Sequence, residues 1–456
     1  MEENKALQEN KMGYMPINKL ILSISAPIMI SMFVQSLYNM VDSIFVSRIG
    51  EYAITSVALS LPLQQLMFAV GIGTSIGVNS YVSRNLGAKN FEESNKAANN
   101  GIILSFLSFL IFFAVGSFFS RNILEAQTDV EKIINGGHIY LQICCMGSLG
   151  IFMHLMFERI LQSTGKTVYT MVAQCIGAIL NIILDPILIF GMFNMPKLGL
   201  AGAAIATVIS QWVGALVVMY FSIWHNEEVK ISPKFMKPDW KIIKEIYRVG
   251  APSIIMVSIV SVTIFSYNKI LSKFSTTAVA VIGIYFRIQG FIFMPLFGLN
   301  NGLIAIVAYN YGANKIDRMK ESINTGLKYG LFIMTFGFIV MQVFPDKLLM
   351  MFNASDELLK IGVICFRVIS ISFIFASISI ISSGVFQAVG NGILSMIISI
   401  TRQIFVLIPV AYFFSLTGNV NLVWLGTPVA EVVSAIMCII GLKKLYKKTD
   451  EIAETM

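Results

Sequence analysis

Residues 17–45 read INKLILSISAPIMISMFVQSLYNMVDSIF, and this stretch decides the fold. It is one apolar run longer than the roughly 20 helical residues that cross a bilayer core. Its polar residues are not scattered. Tyr38, Asn39 and Asp42 lie three, four and seven residues beyond Gln35, so a helix gathers the four on one face. An Asp in mid-span costs about 2.5–3.5 kcal/mol on insertion scales, which makes Asp42 a functional candidate. Upstream, Pro27 removes one backbone hydrogen bond and frees the Ser23 carbonyl, a usual cause of a bend or hinge.

Shifted by 225 residues, the chain repeats itself: 242–270 read IIKEIYRVGAPSIIMVSIVSVTIFSYNKI. Ala26-Pro27 recurs as Ala251-Pro252, so Pro252 is the second candidate hinge. Gly73 and Gly77 recur as Gly298 and Gly302, Asn85, Gly87 and Ala88 as Asn310, Gly312 and Ala313, and Gln162 and Gly165 as Gln387 and Gly390. After one deleted residue, Gly202, Ala206 and Ser210 match Gly426, Ala430 and Ser434. Apolar spans are read near 17–45, 53–81, 97–120, 131–156, 167–191 and 199–224, then near 244–270, 278–307, 322–344, 357–386, 392–415 and 421–443. The segments are too long and too evenly apolar for barrel strands. The expected fold is an all-α integral membrane protein, with twelve transmembrane helices in two pseudo-symmetric six-helix lobes. The expected lobes are 1–224 and 244–456, the latter with a basic tail, joined by a cytoplasmic loop at 225–243. An even number of spans per repeat gives both copies one orientation, with a pseudo-two-fold axis along the membrane normal.

Composition agrees. The chain is 56% hydrophobic and 13% charged, where a soluble domain carries about 25% charged residues. The net charge of +8 does not point to nucleic acid. Lys and Arg gather in the N-terminus, the even-numbered loops (Lys230, Lys234, Lys237, Lys241 and Lys244 in the central one) and the tail (Lys443, Lys444, Lys447, Lys448). By the positive-inside rule both termini are expected in the cytoplasm, in the plasma membrane. The polar opening residues lack the basic-then-apolar pattern of a signal peptide, so the first span is expected to stay as an anchor. Cys144, Cys145, Cys175, Cys365 and Cys438 lie in apolar segments without a Cys-x-x-Cys pair, as buried small hydrophobes do. The Gly71-Ile-Gly73 and Gly77 cluster sits inside a span with no preceding strand, so it is no nucleotide loop; Gly73-x-x-x-Gly77 and Gly298-x-x-x-Gly302 are spaced for close helix packing.

The second intramembrane acid is in Asn181-Ile-Ile-Leu-Asp185-Pro186. Asn181 and Asp185 share a face, and Pro186 frees the Ile182 carbonyl in the same turn. Two carboxylates, an amide oxygen and a freed carbonyl suit either a hard-oxygen Na⁺ site, whose ligands would be Asp42, Asn181 and Asp185, or a buried pair that takes up a proton. Arg287, Arg367, Arg402 and Glu431 fall in spans of the second half, where structural ion pairing is at least as good a reading as transport. Glu158 and Arg159 read as membrane-edge residues, and His138, His154 and His225 form no ligand cluster.

Taken together, Pro27, Leu37-Tyr-Asn-Met-Val-Asp42, Asn85-Leu-Gly-Ala88, Leu161-Gln-Ser-Thr-Gly165, Asn181-Ile-Ile-Leu-Asp-Pro186 and Tyr309-Asn-Tyr-Gly-Ala313 resemble the multidrug and toxic compound extrusion (MATE) family over essentially the whole chain, most of all its MepA-like and DinF-like bacterial branch. The resemblance implies a two-lobed antiporter that exports organic cations and amphipathic drugs by alternating access, driven by H⁺ or Na⁺, with no cofactor beyond that ion. It also implies that Asp42, Asn181 and Asp185, joined by Thr207, couple the ion, and that Pro27 takes part in helix bending. NorM-like members carry acids in the seventh and tenth spans; 251–270 and 358–386 have none here, which argues against coupling of that kind in the second lobe. Gln35, Tyr38, Asn39, Met256, Tyr285 and Asn301 are the expected drug-cavity residues. The partners expected are small, cationic drugs and the lipid bilayer, with a monomeric protein. The alternative is a lipid-linked oligosaccharide flippase of related architecture, which the three intramembrane arginines keep open. A channel is a weaker reading, and no nucleophile–base or metal motif suggests an enzyme.

Overall fold

The computed structural model describes residues 10–352 and 354–454 and is helical, with no strand among them. Ten helices are long and apolar enough to cross a membrane, and two further pairs, each bent by 46°, complete twelve spans. In the first repeat these are α1 (Ile17–Ser47), α2 (Glu51–Gly87), α3 (Phe91–Glu125), α4 (Glu131–Met146 continued by Leu149–Ser163), α5 (Thr167–Phe190) and α6 (Leu200–Trp224). In the second they are α7 (Trp240–Leu271), α8 (Thr276–Gly312), α9 (Ile316–Val343), α10 (Asp356–Ser370 continued by Ser372–Ala388), α11 (Gly392–Ile400 running on to Ile408–Ser415) and α12 (Gly426–Glu454). Local chemistry sets several ends. The Asn90 side chain accepts from Glu93 N at the start of α3, and Ser275 accepts from Ala278 N at the start of α8. Gly191, at φ 75°, ends α5 in the left-handed conformation that glycine adopts most cheaply. Phe118, Phe332 and Phe405 are 69–75% exposed on helix flanks, an arrangement that lipid, not water, makes favourable.

The chain forms two compact units. Among the described residues, one comprises Asn10 and Ile30–Ile254; the other comprises Lys11–Met29 and the chain from Ile255 onward. The expected lobes met in the 225–243 loop. The compact units divide elsewhere, two residues beyond each repeated proline, and each takes the N-terminal stretch of the other repeat's first helix. Both α1 and α7 nevertheless run unbroken through Pro27 and Pro252.

The repeated glycines show how each exchanged stretch is held. In the first unit, a Cβ on Gly73 would lie 2.7 Å from the Ile254 nitrogen, and one on Gly77 would collide with the Ile246 carbonyl oxygen. In the second unit, a Cβ on Gly298 would lie 2.8 Å from Met29 Cα, and one on Gly302 would strike the Ser25 hydroxyl. The Gly-x-x-x-Gly spacing therefore marks a backbone-to-backbone contact in each repeat.

Hydrogen-bonded straps sit beside these contacts. On α3, Asn95 Oδ1 accepts from Lys230 N (2.7 Å) and Asn99 Nδ2 donates to Lys230 O (3.0 Å). Asn99 Oδ1 accepts from Ser232 N, while Asn100 donates to Lys237 O and accepts from Asp239 N. In the second unit Asn310 Nδ2 donates to Met12 O, Lys315 to Gly13 O and Arg318 Nη2 to Met15 O. The segments leading into α7 and α1 thus have their backbone groups satisfied by side chains, as buried peptide groups require.

Candidate functional site

Within the first unit, five helices enclose a cavity of about 100 Å³. Each helix contributes residues at helical spacing: Gln35 and Tyr38 from α1, Phe68 and Ile72 from α2, and Ile151, His154, Leu155 and Glu158 from the second limb of α4. Gln174, Gly177, Ala178 and Asn181 come from α5, and Thr207, Ser210 and Gln211 from α6. The small residues on α5 make this possible: a Cβ on Gly177 would lie 3.2 Å from the Ser210 carbonyl oxygen, so α5 and α6 approach closely beside the opening.

Beneath this wall lies a cluster of oxygens. Asp185 and Asn181 are 0% and 1% exposed, and Asn181 Nδ2 points to Asp185 Oδ1 at 3.5 Å. The Asp42 carboxyl comes within hydrogen-bonding reach of that of Asp185, with Tyr38 beside both. Asp42 Oδ1, Asp185 Oδ2 and Asn181 Oδ1 are sealed from solvent without a hydrogen-bond partner. A carboxylate or amide oxygen only accepts, so these three cannot satisfy one another. A shared proton or a small hard cation can satisfy them. Among the described residues no group of three or more His, Cys, Asp and Glu side chains is placed to hold a metal ion.

The expected residues therefore divide. Asp42, Asn181 and Asp185 come together, and Gln35, Tyr38, Asn181 and Thr207 line the cavity. Asn39, expected on the same face, is exposed and outside the lining. Met256, Tyr285 and Asn301 belong to the second unit and do not line this cavity. There the Met256 sulfur accepts from Gln387 Nε2, and Tyr285, 1% exposed, packs its ring on Phe366. Pro27 and Pro252 are both buried. Arg287 and Arg367 are exposed, while Arg402 pairs with Glu431 at 2.8 Å.

Sequence reading missed His154 and Glu158. Among the described residues Glu158 is the only acid in the lining. Gln162 Nε2 holds its Oε1 at 2.8 Å, and Gln162 is itself held by Arg159 Nη1 at 2.9 Å, which leaves Oε2 to the cavity. His154 Nδ1 packs against the open side of Gly214, a Cβ on which would lie 2.8 Å away. The signal was present in the spacing 151, 154, 155, 158, which puts both polar residues on one stripe with Ile151 and Leu155.

Comparison with known proteins agrees with this architecture. The MatE family model matches residues 27–187 and again 252–413, once in each repeat. The Multidrug export protein MepA of Staphylococcus haemolyticus is 28% identical over 424 residues, 92% of either chain. The Probable multidrug resistance protein YoeA of Bacillus subtilis is 26% identical over 428 residues, also 92% of either chain. The solved outward-facing conformation of a multidrug resistance MATE family transporter superposes with a TM-score of 0.92 at 24% identity, covering 97% of this chain and 99% of that one. A family model that matches both repeats, on a twelve-span frame with an acid-lined cavity in the first unit, places this chain in the MatE family of multi-pass membrane proteins.

Proposed function

We propose that this chain is an efflux antiporter that exports organic cations and amphipathic drugs in exchange for inward H⁺ or Na⁺. The observation that carries this reading is the separation of two acidic features in one unit. Glu158 faces the cavity among Tyr38, Phe68, Ile72 and Leu155, a wall that suits an amphipathic cation. The Asp42–Asp185–Asn181 oxygens lie beside it, sealed and unsatisfied. A cation arriving at the sealed cluster removes negative charge next to the cavity and weakens its hold on a cationic drug; its release restores that hold. Coupling needs the ion to favour one conformation over the other, and a charge change on a buried carboxylate pair supplies the difference. On this reading Thr207 assists from the cavity wall, Pro27 and Pro252 take up the bending, and the ion is cargo. The protein acts as a monomer in the plasma membrane with both termini cytoplasmic.

The flippase reading needs cationic side chains where the headgroup would sit. Among the described residues no Lys or Arg lines the first-unit cavity. The test is efflux of a fluorescent organic cation from proteoliposomes under separately imposed pH and Na⁺ gradients. Acceleration by one gradient, lost in Asp42→Asn while membrane insertion is retained, supports antiport. Efflux by Asp42→Asn at the unaltered rate refutes it.

A further inference from the structure

The positions that line the first-unit cavity have counterparts in the second unit, and their chemistry is different. By the repeat, Gly177 of the cavity lining corresponds to Arg402, and Thr207, one deletion later, to Glu431. Two neutral lining positions of one unit have become an ion pair in the other. Arg402 Nη1 donates to Glu431 Oε1 at 2.8 Å, with side-chain exposures of 23% and 12%. Arg402 stands on a π-helical turn, Thr401–Leu407, inside α11. Such turns displace side chains from regular helical register and recur at functional sites.

The pair leaves bonding capacity unused. Glu431 is 9% exposed, and its Oε2 is sealed without a partner; Tyr285 Oη on α8, 1% exposed, is likewise sealed without one. Arg402 makes only the Nη1 bond to Glu431 among the described residues, which leaves the rest of a partly exposed guanidinium fork open. The titratable groups around the pair are Tyr285, which adjoins Tyr267 of α7 and Cys365 of α10, and Cys438, two turns beyond Glu431 on α12.

We propose that the second unit carries a ligand site of its own, in which Arg402 receives the carboxylate of a monoanionic ligand and Glu431 is the group displaced. The exchange balances. Glu431 takes one proton from solution and becomes a neutral carboxylic acid. Arg402 keeps its charge and passes from one carboxylate to another. The site is neutral before and after, so the swap buries no net charge, and fork-to-carboxylate geometry serves both partners.

The test is equilibrium binding of radiolabelled benzoate to the full-length protein in nanodiscs, with benzylammonium as the cation of matched size. One proton taken up per anion makes benzoate affinity rise about tenfold for each unit of falling pH while Glu431 is ionised. Glu431→Gln raises affinity at neutral pH and removes that dependence. Arg402→Gln abolishes binding in both backgrounds. Benzylammonium follows none of these changes. Absence of saturable benzoate binding to the wild-type protein across the pH series, or binding independent of pH and indifferent to Arg402→Gln, overturns the proposal. The wild-type pH series needs no variant and decides alone if a variant fails to fold.

Discussion

Replacing Glu158 by Gln tests whether drug recognition and ion coupling are carried by different carboxyl groups. The change is isosteric. The new amide oxygen still accepts from Gln162 Nε2, now at 2.8 Å from Glu158 Oε1, so the wall keeps its shape and loses one charge. A monocation bound about 5 Å from that charge gains about 3 kcal/mol at an effective dielectric of 20 and under about 1 kcal/mol in water. Glu158 is half-buried and lines a cavity, so the expected loss lies between these limits, at about 1–3 kcal/mol. That is about a 5- to 150-fold weaker dissociation constant for a monovalent organic cation. A neutral amphiphile of the same shape changes by less than about twofold, because it meets the same Tyr38, Phe68 and Leu155 surface. Fluorescence-polarisation binding of a cationic dye and its uncharged analogue to detergent-purified protein measures both. Equal weakening of the two ligands would mean that the substitution deformed the wall. An unchanged cation affinity would refute the claim that Glu158 presents its charge to the ligand.

Four other substitutions separate the remaining roles. Asp185→Asn removes one carboxylate from the sealed cluster and is expected to abolish gradient-driven efflux and to make equilibrium dye binding indifferent to pH and Na⁺, while weakening that binding less than Glu158→Gln does, because Asp185 is 0% exposed and outside the lining. Gly77→Leu drives a side chain into the Ile246 carbonyl, whereas a Cβ on Gly283 would meet no other part of the described residues within 4 Å. The first is expected to lose at least the 1–3 kcal/mol typical of overpacking and Gly283→Ala to be tolerated, as read by thermal scanning of the size-exclusion peak. Asn99→Ala removes two bonds to the backbone at Lys230 and Ser232. At about 1 kcal/mol each, hydrogen exchange at Ser232 is expected to speed up by about an order of magnitude or more, with no such change at Ala278.

The legible part of this molecule was periodic. The helices, the repeat and the Asp42 and Asp185 turns all announced themselves through spacing, because a helix converts sequence interval into direction. Spacing defines a stripe but not its edges. Asn39 belongs to the Gln35–Asp42 stripe, yet it falls on the exposed flank, since neighbouring helices decide where the covered arc ends. Glu158 and His154 taken singly are a membrane-edge acid and an isolated ring, and only their common stripe with Ile151 and Leu155 reveals a wall. The partner of a Gly-x-x-x-Gly surface was illegible for another reason. The motif states that a backbone comes close, and nothing local says that Gly77 meets Ile246, from the other repeat, instead of a neighbour within its own. The ion pair of Arg402 and Glu431 lies between these cases: both residues were visible, but nothing local in either segment says that α11 and α12 bring them together.

The exchanged helix ends bear on how such a molecule could arise and be taken apart. If one six-helix gene was duplicated and fused, the ancestral product could not have closed its glycine groove with its own leading helix. It would have needed a second copy to lend one, as domain-swapped dimers do. The same reasoning governs a present-day split. Cutting the chain within 225–243 severs the strap that Asn95, Asn99 and Asn100 hold and leaves two fragments, each carrying the stretch that fills the other's groove. Neither half is then a folding unit by itself, and the gene can be divided there only if both products are made together.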